Sequence, residues 1–254
     1  MTYLKRNFSD WKTLNESSEY YHDTLNQLFW EGNVLDKGVS KKLLAIAKEF
    51  YSNYDKIAKN LPIIDIQLTG SLANYNYTEF SDLDIHVLVD FSKIDAPRKV
   101  TKAAFDGIRF IWNTRHNIKI RGHEVELYIQ DSSEPHTSTG LYSIMNNEWI
   151  KEPKHNEPNI KDSDVEQKYR SVATTIEKLE SKLLGSEKIP SNSKDLYKLS
   201  IKTKDKILKM RKEALAKGGE FSVGNLSFKK LRNNGYIGRL IDLISKSYDR
   251  IYSE

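Results

Sequence analysis

The segment Leu83-Asp84-Ile85-His86-Val87-Leu88-Val89 constrains the fold more than any other part of the chain. Side chains alternate across a β-strand, so Leu83, Ile85, Val87 and Val89 share one face, while Asp84 and His86 take the other. Asp82 has the parity of Asp84. The apolar face must be covered by other elements, and the acids must point at something other than core. A strand also needs hydrogen-bonding neighbours. Ile63-Ile64-Asp65-Ile66-Gln67-Leu68, running into Thr69-Gly70-Ser71, reads as a short buried strand. Ile118-Lys119-Ile120 and Val125-Glu126-Leu127-Tyr128-Ile129 read as a hairpin with Arg121-Gly122-His123 as its turn.

Helical spacing of Leu43, Leu44, Ala47, Phe50, Tyr51, Tyr54, Ile57 and Ala58 predicts a helix over Ser40 to Lys59, with Ser40 as N-cap and Pro62 ending it. Pro97 suits the first turn of a second helix, through Val100, Ala104, Ile108, Ile111 and Trp112. Lys151 to Asp164 holds two prolines and little apolar matter, and marks a boundary. Beyond it only helices are expected. Val165 to Leu183 mark one, and Leu196 to Ala214 another, closed by Gly218-Gly219, with the bundle ending near Ile251. The expected architecture is α+β: a mixed sheet with flanking helices over residues 1–150, then a helical bundle over 151–254.

Composition narrows the chemistry. The chain has no cysteine, which removes disulfides, thiolate zinc sites and cysteine nucleophiles. It holds no run of ~18–20 apolar residues, and MTYLKRNFSDWKTLNESSEYYHD lacks the apolar core of a secretory signal. A cytoplasmic protein without a membrane partner is expected. Residues 1–150 carry 17 Lys/Arg against 20 Asp/Glu, and residues 151–254 carry 23 against 15. A mildly acidic half followed by a basic one suits a carboxylate metal site beside a phosphate-binding surface. Lysines on exposed helix faces would give the same numbers.

Two carboxylates on one face of a strand raise each other's pKa unless a cation lies between them. Hard oxygen ligands of this kind suit Mg²⁺, which shares its shell with water and substrate phosphates. Gly70 and Ser71, at a strand end before an expected helix, offer backbone N–H groups and a hydroxyl to a phosphate. A third carboxylate is expected on the later strand. Glu126 has apolar neighbours turned to the other face, and Glu124 shares its parity but lies nearer the turn.

GSLANYNYTEFSDLDIHVLVD resembles the signature of the DNA polymerase β-type nucleotidyltransferase superfamily: Gly-Ser, a spacer of about ten residues, then Asp-x-Asp on a strand. The later Val-Glu-Leu is similar to the third-carboxylate position, and the resemblance spans residues 61–131. A helical domain after the core is familiar from poly(A) polymerases, oligoadenylate synthases and cyclic-oligonucleotide synthases. The whole chain resembles nucleotidyltransferase-like proteins of phages and bacteria, a likeness that names no acceptor. The resemblance implies transfer of a nucleoside monophosphate from an NTP such as ATP, with Mg²⁺ or Mn²⁺ held by Asp82, Asp84 and Glu126. It implies Gly70 and Ser71 at the β- and γ-phosphates. It also implies a helical-domain Lys and a later Ser on the triphosphate, for which Lys206 and Ser222 have the arrangement, against Lys202, Lys204 and Lys229. The implied acceptor is a hydroxyl on a nucleic-acid end such as tRNA, on a second nucleotide, or on a small molecule or protein. A non-catalytic nucleotide- or RNA-binding module is the alternative on the same fold. The chain departs from the pattern in having Glu where Asp is usual, and no Arg in the spacer.

Other features have plainer readings. His86 shares the face of Asp82 and Asp84, and reads as a hydrogen-bonded neighbour or a substrate contact. His22-Asp23 lacks the further histidines of a metal phosphohydrolase, and His123 and His136 read as turn and loop residues. Tyr75 and Tyr77 suit either base stacking or packing. Neither GxxxxGK[ST] nor GxGxxG occurs. Lys194 to Arg239 has 13 basic against 4 acidic residues, enough to meet a triphosphate or RNA through a few of them.

Overall fold

Leu83–Val89 (β4) lies at the centre of a six-stranded sheet, and its two faces differ as the alternation requires: Leu83, Ile85, Val87 and Val89 are buried, while Asp84 and His86 are partly open. The computed structural model describes residues 21–53, 61–136, 138–155, 160–184 and 190–253. The architecture is α+β. A two-residue hairpin of Trp30–Glu31 (β1) and Val34–Leu35 (β2) precedes the helix Lys37–Ser52 (α1). Asp65–Thr69 (β3) runs antiparallel to β4. The helix Arg98–Arg115 (α2) then crosses over to the hairpin of Lys119–Ile120 (β5) and His123–Asp131 (β6), with β6 parallel to β4. Leu141–Ser143 (β7) and Glu148–Lys151 (β8) complete the order β5-β6-β4-β3-β7-β8.

The covered face packs Ile85, Val87, Leu127 and Ile129 in one cluster with Leu43, Ala47 and Phe50 of α1. Trp30 stacks on Trp149 at 4.8 Å and donates its indole N–H to the Leu72 carbonyl at 2.7 Å, pinning the first hairpin against β8 and the turn after β3. The α2 helix runs along the free edge of β6. Asn113 donates to the Leu127 carbonyl at 3.2 Å and accepts from its N–H at 3.3 Å, standing in for a further strand. Beyond β8 come Asp162–Leu184 (α3), Pro190–Gly218 (α4), Val223–Asn233 (α5) and Tyr236–Tyr252 (α6). They bury a second core of Ile176, Leu179, Leu183, Ile207, Phe228, Leu240 and Leu243. Glu220, in the α4–α5 loop, clasps the two cores together. Its carboxylate accepts from Asn74 at 2.7 Å, from Asn76 at 3.1 Å and from the Thr139 N–H at 3.2 Å.

Several expectations need correction. The N-cap of α1 is Asp36, whose side chain accepts from the Val39 N–H at 2.9 Å, so the helix starts before Ser40. The expected stretch from Tyr54 to Lys59 lies outside the described residues. Ile63 and Ile64 precede β3, and Ile64 is exposed. On α2, Thr101 and Phe105 are buried and the expected Ile108 and Trp112 pack partly buried against the same core, whereas Val100 and Ile111 stand in solvent, because a helix at a sheet edge buries only a narrow stripe. In the β5–β6 hairpin only Arg121 and Gly122 turn, both at positive φ, and His123 belongs to the strand. No strand was expected at β7 or β8, which are too short for alternation to register. Gly70-Ser71 leads into a single 3₁₀ turn, Ser71–Ala73, and not into a helix.

That turn is crossed closely by the β6–β7 connection. A Cβ on Gly140 would stand 1.8 Å from the Ala73 carbonyl oxygen, which is backbone and cannot swing away. Gly140→Ala should therefore destabilise the protein by about 1–3 kcal/mol, the range for overpacking. Urea unfolding measures this, and an unchanged midpoint would refute the close crossing.

Candidate active site

Parallel pairing of β4 with β6 sets Asp84 opposite Glu126. Strands lie about 4.8 Å apart, so the two carboxylates stand side by side on the uncovered face. Asp82, just before β4, shares that side. Thr69, the last residue of β3, pairs with Asp84 on its other flank, and Gly70 follows at φ +78°. A Cβ on Gly70 would lie 2.0 Å from Asp84 Oδ2, so glycine is required for the carboxylate to occupy its place. Ser71 donates its hydroxyl to that of Ser81 at 2.8 Å, and the Ser81 carbonyl accepts from His123 Nδ1 at 2.6 Å. These bonds tie the phosphate-binding candidates Gly70 and Ser71 to the loop that carries Asp82. With one 3₁₀ turn after them, what they offer a phosphate is a hydroxyl and backbone N–H groups without a helix dipole.

Burial is the main cause that drives the carboxyls upward. Asp84 is pushed up to about 7, by burial first and then by the Glu126 and Asp82 charges. Glu126 and Asp82 are raised for the same reason, with Arg232 opposing the shift in both. Arg232 of α5 contacts Asp82 at 3.3 Å. Lys229, one turn earlier, is pushed down to about 8, by burial first, with Glu220 opposing and Arg232 adding to the fall. Arg211 of α4 is lowered by burial and feels Arg232 and Asp84; its guanidinium lies over the Phe228 ring at 4.4 Å. Three cations of the helical half thus face three carboxylates of the sheet.

The helical-half cations differ from those expected. Lys206 is exposed on α4, and Ser222 turns its hydroxyl back to the Gly219 carbonyl at 2.8 Å. Of the rivals, Lys229 is among the cations at the site, whereas Lys202 is exposed and Lys204 only partly covered on α4. Arg211 and Arg232 were not singled out from the sequence. The signal available was helical phase: Arg232 stands three residues after Lys229, on the same side of α5. Glu124 pairs with Lys119 at 3.3 Å beside the hairpin turn, leaving Glu126 as the acid in register with Asp84.

Asp84 and Glu126 open into a cleft of about 650 Å³ between the sheet and α2. His86 lines it too. Its Nδ1 donates to Gln130 Oε1 at 2.6 Å, and burial pushes its pKa down to about 4. His22 stacks on Tyr77 at 3.9 Å and donates to its carbonyl, and Tyr75 stacks on His155 at 3.8 Å, so both tyrosines pack internally. His136 lies in the loop after β6, its ring 6.0 Å from that of His86.

Among the described residues no three His, Asp or Glu side chains are gathered at metal-ligand spacing. Asp82 is turned toward Arg232. The donor set nevertheless fits a hard divalent ion, because Asp84 and Glu126 are adjacent acids whose ionisation burial and mutual repulsion oppose. No helix of the described residues is long and apolar enough to cross a membrane. Comparison with protein-family models, curated proteins and solved structures gives no match.

The raised pKa of Asp84 has a signed consequence. A group whose folded pKa exceeds its unfolded value stabilises fully below the unfolded pKa, and that stability is lost as pH rises through the folded pKa. In chelator-treated protein, Asp84→Asn should match the wild type near pH 4 and gain stability over it between pH 5 and 8. Denaturation curves across that range measure this, and a difference independent of pH would contradict it.

Proposed function

We propose that this chain is a Mg²⁺-dependent nucleotidyltransferase of the polymerase β type, transferring NMP from an NTP to a hydroxyl and releasing pyrophosphate. The observation that carries the reading is the register of Asp84 with Glu126, faced by Arg232 and Lys229. Asp82, Asp84 and Glu126 would hold the divalent ion, which when bound offsets triphosphate charge and acidifies the acceptor hydroxyl. Arg211, Lys229 and Arg232 supply the positive charge that the Arg-free spacer lacks. Ser71 and the N–H groups beside it bind phosphate oxygens. Glu126 takes the hydroxyl proton on its carboxylate. The acceptor oxygen forms a bond to the α-phosphorus, the α–β phosphoanhydride breaks, and pyrophosphate departs toward the cations. Mn²⁺ would serve in place of Mg²⁺, since it accepts the same oxygen donors.

Two variants test this. Asp84→Asn should abolish NTP- and Mg²⁺-dependent pyrophosphate release with total RNA and nucleotides as acceptors, while retaining the wild-type circular dichroism spectrum. Arg232→Ala should raise the KM for NTP about tenfold to a hundredfold, as expected for one charge-assisted hydrogen bond. Wild-type turnover in the Asp84 variant would reject the reading. NTP binding without turnover under any of these conditions would favour a non-catalytic binding module.

A further inference from the structure

We infer that the cleft between α2 and the sheet is the acceptor subsite, and that it takes a nucleotide unit through a flat ring and an anionic group. This rests on the nucleotidyl transfer proposed above. In-line displacement puts the entering and leaving oxygens on opposite sides of the transferred phosphorus. Pyrophosphate leaves toward Arg232 and Lys229, which act on Asp82 and Asp84 from α5. The acceptor therefore enters from the other side of the carboxylates. Asp84 and Glu126 open there into the 650 Å³ cleft, within the range that holds one small ligand.

The walls of the cleft define the ligand's chemistry. Phe110 projects from α2 with 70% of its surface exposed and lines the cleft. Its neighbour Arg109 places its guanidinium 5.0 Å from the Tyr128 ring centre. Arg109 meets Asp106 only at 3.9 Å, with both side chains substantially exposed, so it can turn to an anion. Lys102 on the same helix is already bonded to Glu134 at 2.7 Å and to the Tyr128 hydroxyl at 2.6 Å, and serves to fix that wall. Aromatic surface beside a guanidinium is a stacking platform for a base. His86 adds an acceptor. With Nδ1 donating to Gln130, its Nε2 has no hydrogen-bond partner among the described residues and can read a donor on the base edge.

The nucleotide unit can come from a free nucleotide or from an RNA 3′ end. Equilibrium dialysis of the full chain with labelled α,β-methylene NTP analogues and Mg²⁺ tests the subsite. Two nucleotides should bind per chain if the source is free nucleotide. Phe110→Ala and Arg109→Ala should each weaken one by about tenfold, and Arg232→Ala should weaken the other. Phe110 and Arg109 lie at the surface of α2, so circular dichroism of these variants should be unchanged. A short RNA with a free 3′ hydroxyl forms the second arm. Binding of that RNA weakened by the Phe110 and Arg109 variants would assign the subsite to a strand end and equally supports it. One Arg232-dependent nucleotide per chain, with neither nucleotide nor RNA binding altered by the α2 variants, would overturn the inference while leaving the nucleotidyltransferase reading intact. An absence of nucleotide binding in the wild type would remove both.

Discussion

Main-chain pairing forces two like charges together at the centre of this protein. The β4–β6 register is fixed by hydrogen bonds and by the apolar side chains on its covered face, so Asp84 and Glu126 cannot separate without losing core. Their repulsion has to be met by the surroundings. Gly70 yields the space, the 71–81 loop orients Asp82, and α5 brings Lys229 and Arg232 from a different part of the chain. A slip of β6 by one residue would turn Glu126 toward the core and Leu127 out of it. The sheet's stability and the site's composition are therefore one constraint.

The clasp at Glu220 explains how the helical half can hold its cations there. Lys229 and Arg232 sit on a short helix that follows the Glu220 loop, and Glu220 is bonded to Asn74, Asn76 and Thr139 of the sheet half. Asn74 and Asn76 belong to the spacer between Gly-Ser and Asp-x-Asp. The 74–76 stretch therefore contributes attachment, and the positive charge beside the acids comes from the helices it attaches. Lys229 feels the Glu220 carboxylate directly, so the same acid that docks α5 also favours the charged form of the lysine.

What could be read from the sequence follows how local the governing interaction is. The strand Leu83–Val89 is legible because alternation is a property of adjacent residues, and its bounds match the structure. The α+β order of a sheet-bearing half and a helical half is legible for the same reason. Asp36 as the cap of α1, the 3₁₀ turn in place of a helix after Ser71, and the narrow buried stripe of α2 all depend on what lies across from each segment. Arg232 and Arg211 were hidden among 13 basic residues between Lys194 and Arg239. Composition counts those charges without telling which ones the helix packing brings beside the acids.

The distribution of basic residues then has a physical division. Lys202 and Lys206 stand in solvent on α4, where hydration is cheap and screening strong. Arg211 and Lys229, by contrast, are desolvated enough that burial lowers both pKa values. Holding cations in that state is costly unless negative charge faces them, and the carboxylates alone face them incompletely, since Asp84 is itself driven toward its neutral form. A polyanion placed between the helical cations and a divalent ion on the acids would relieve both strains together. On the function proposed above, an NTP tail would bring charge of that sign.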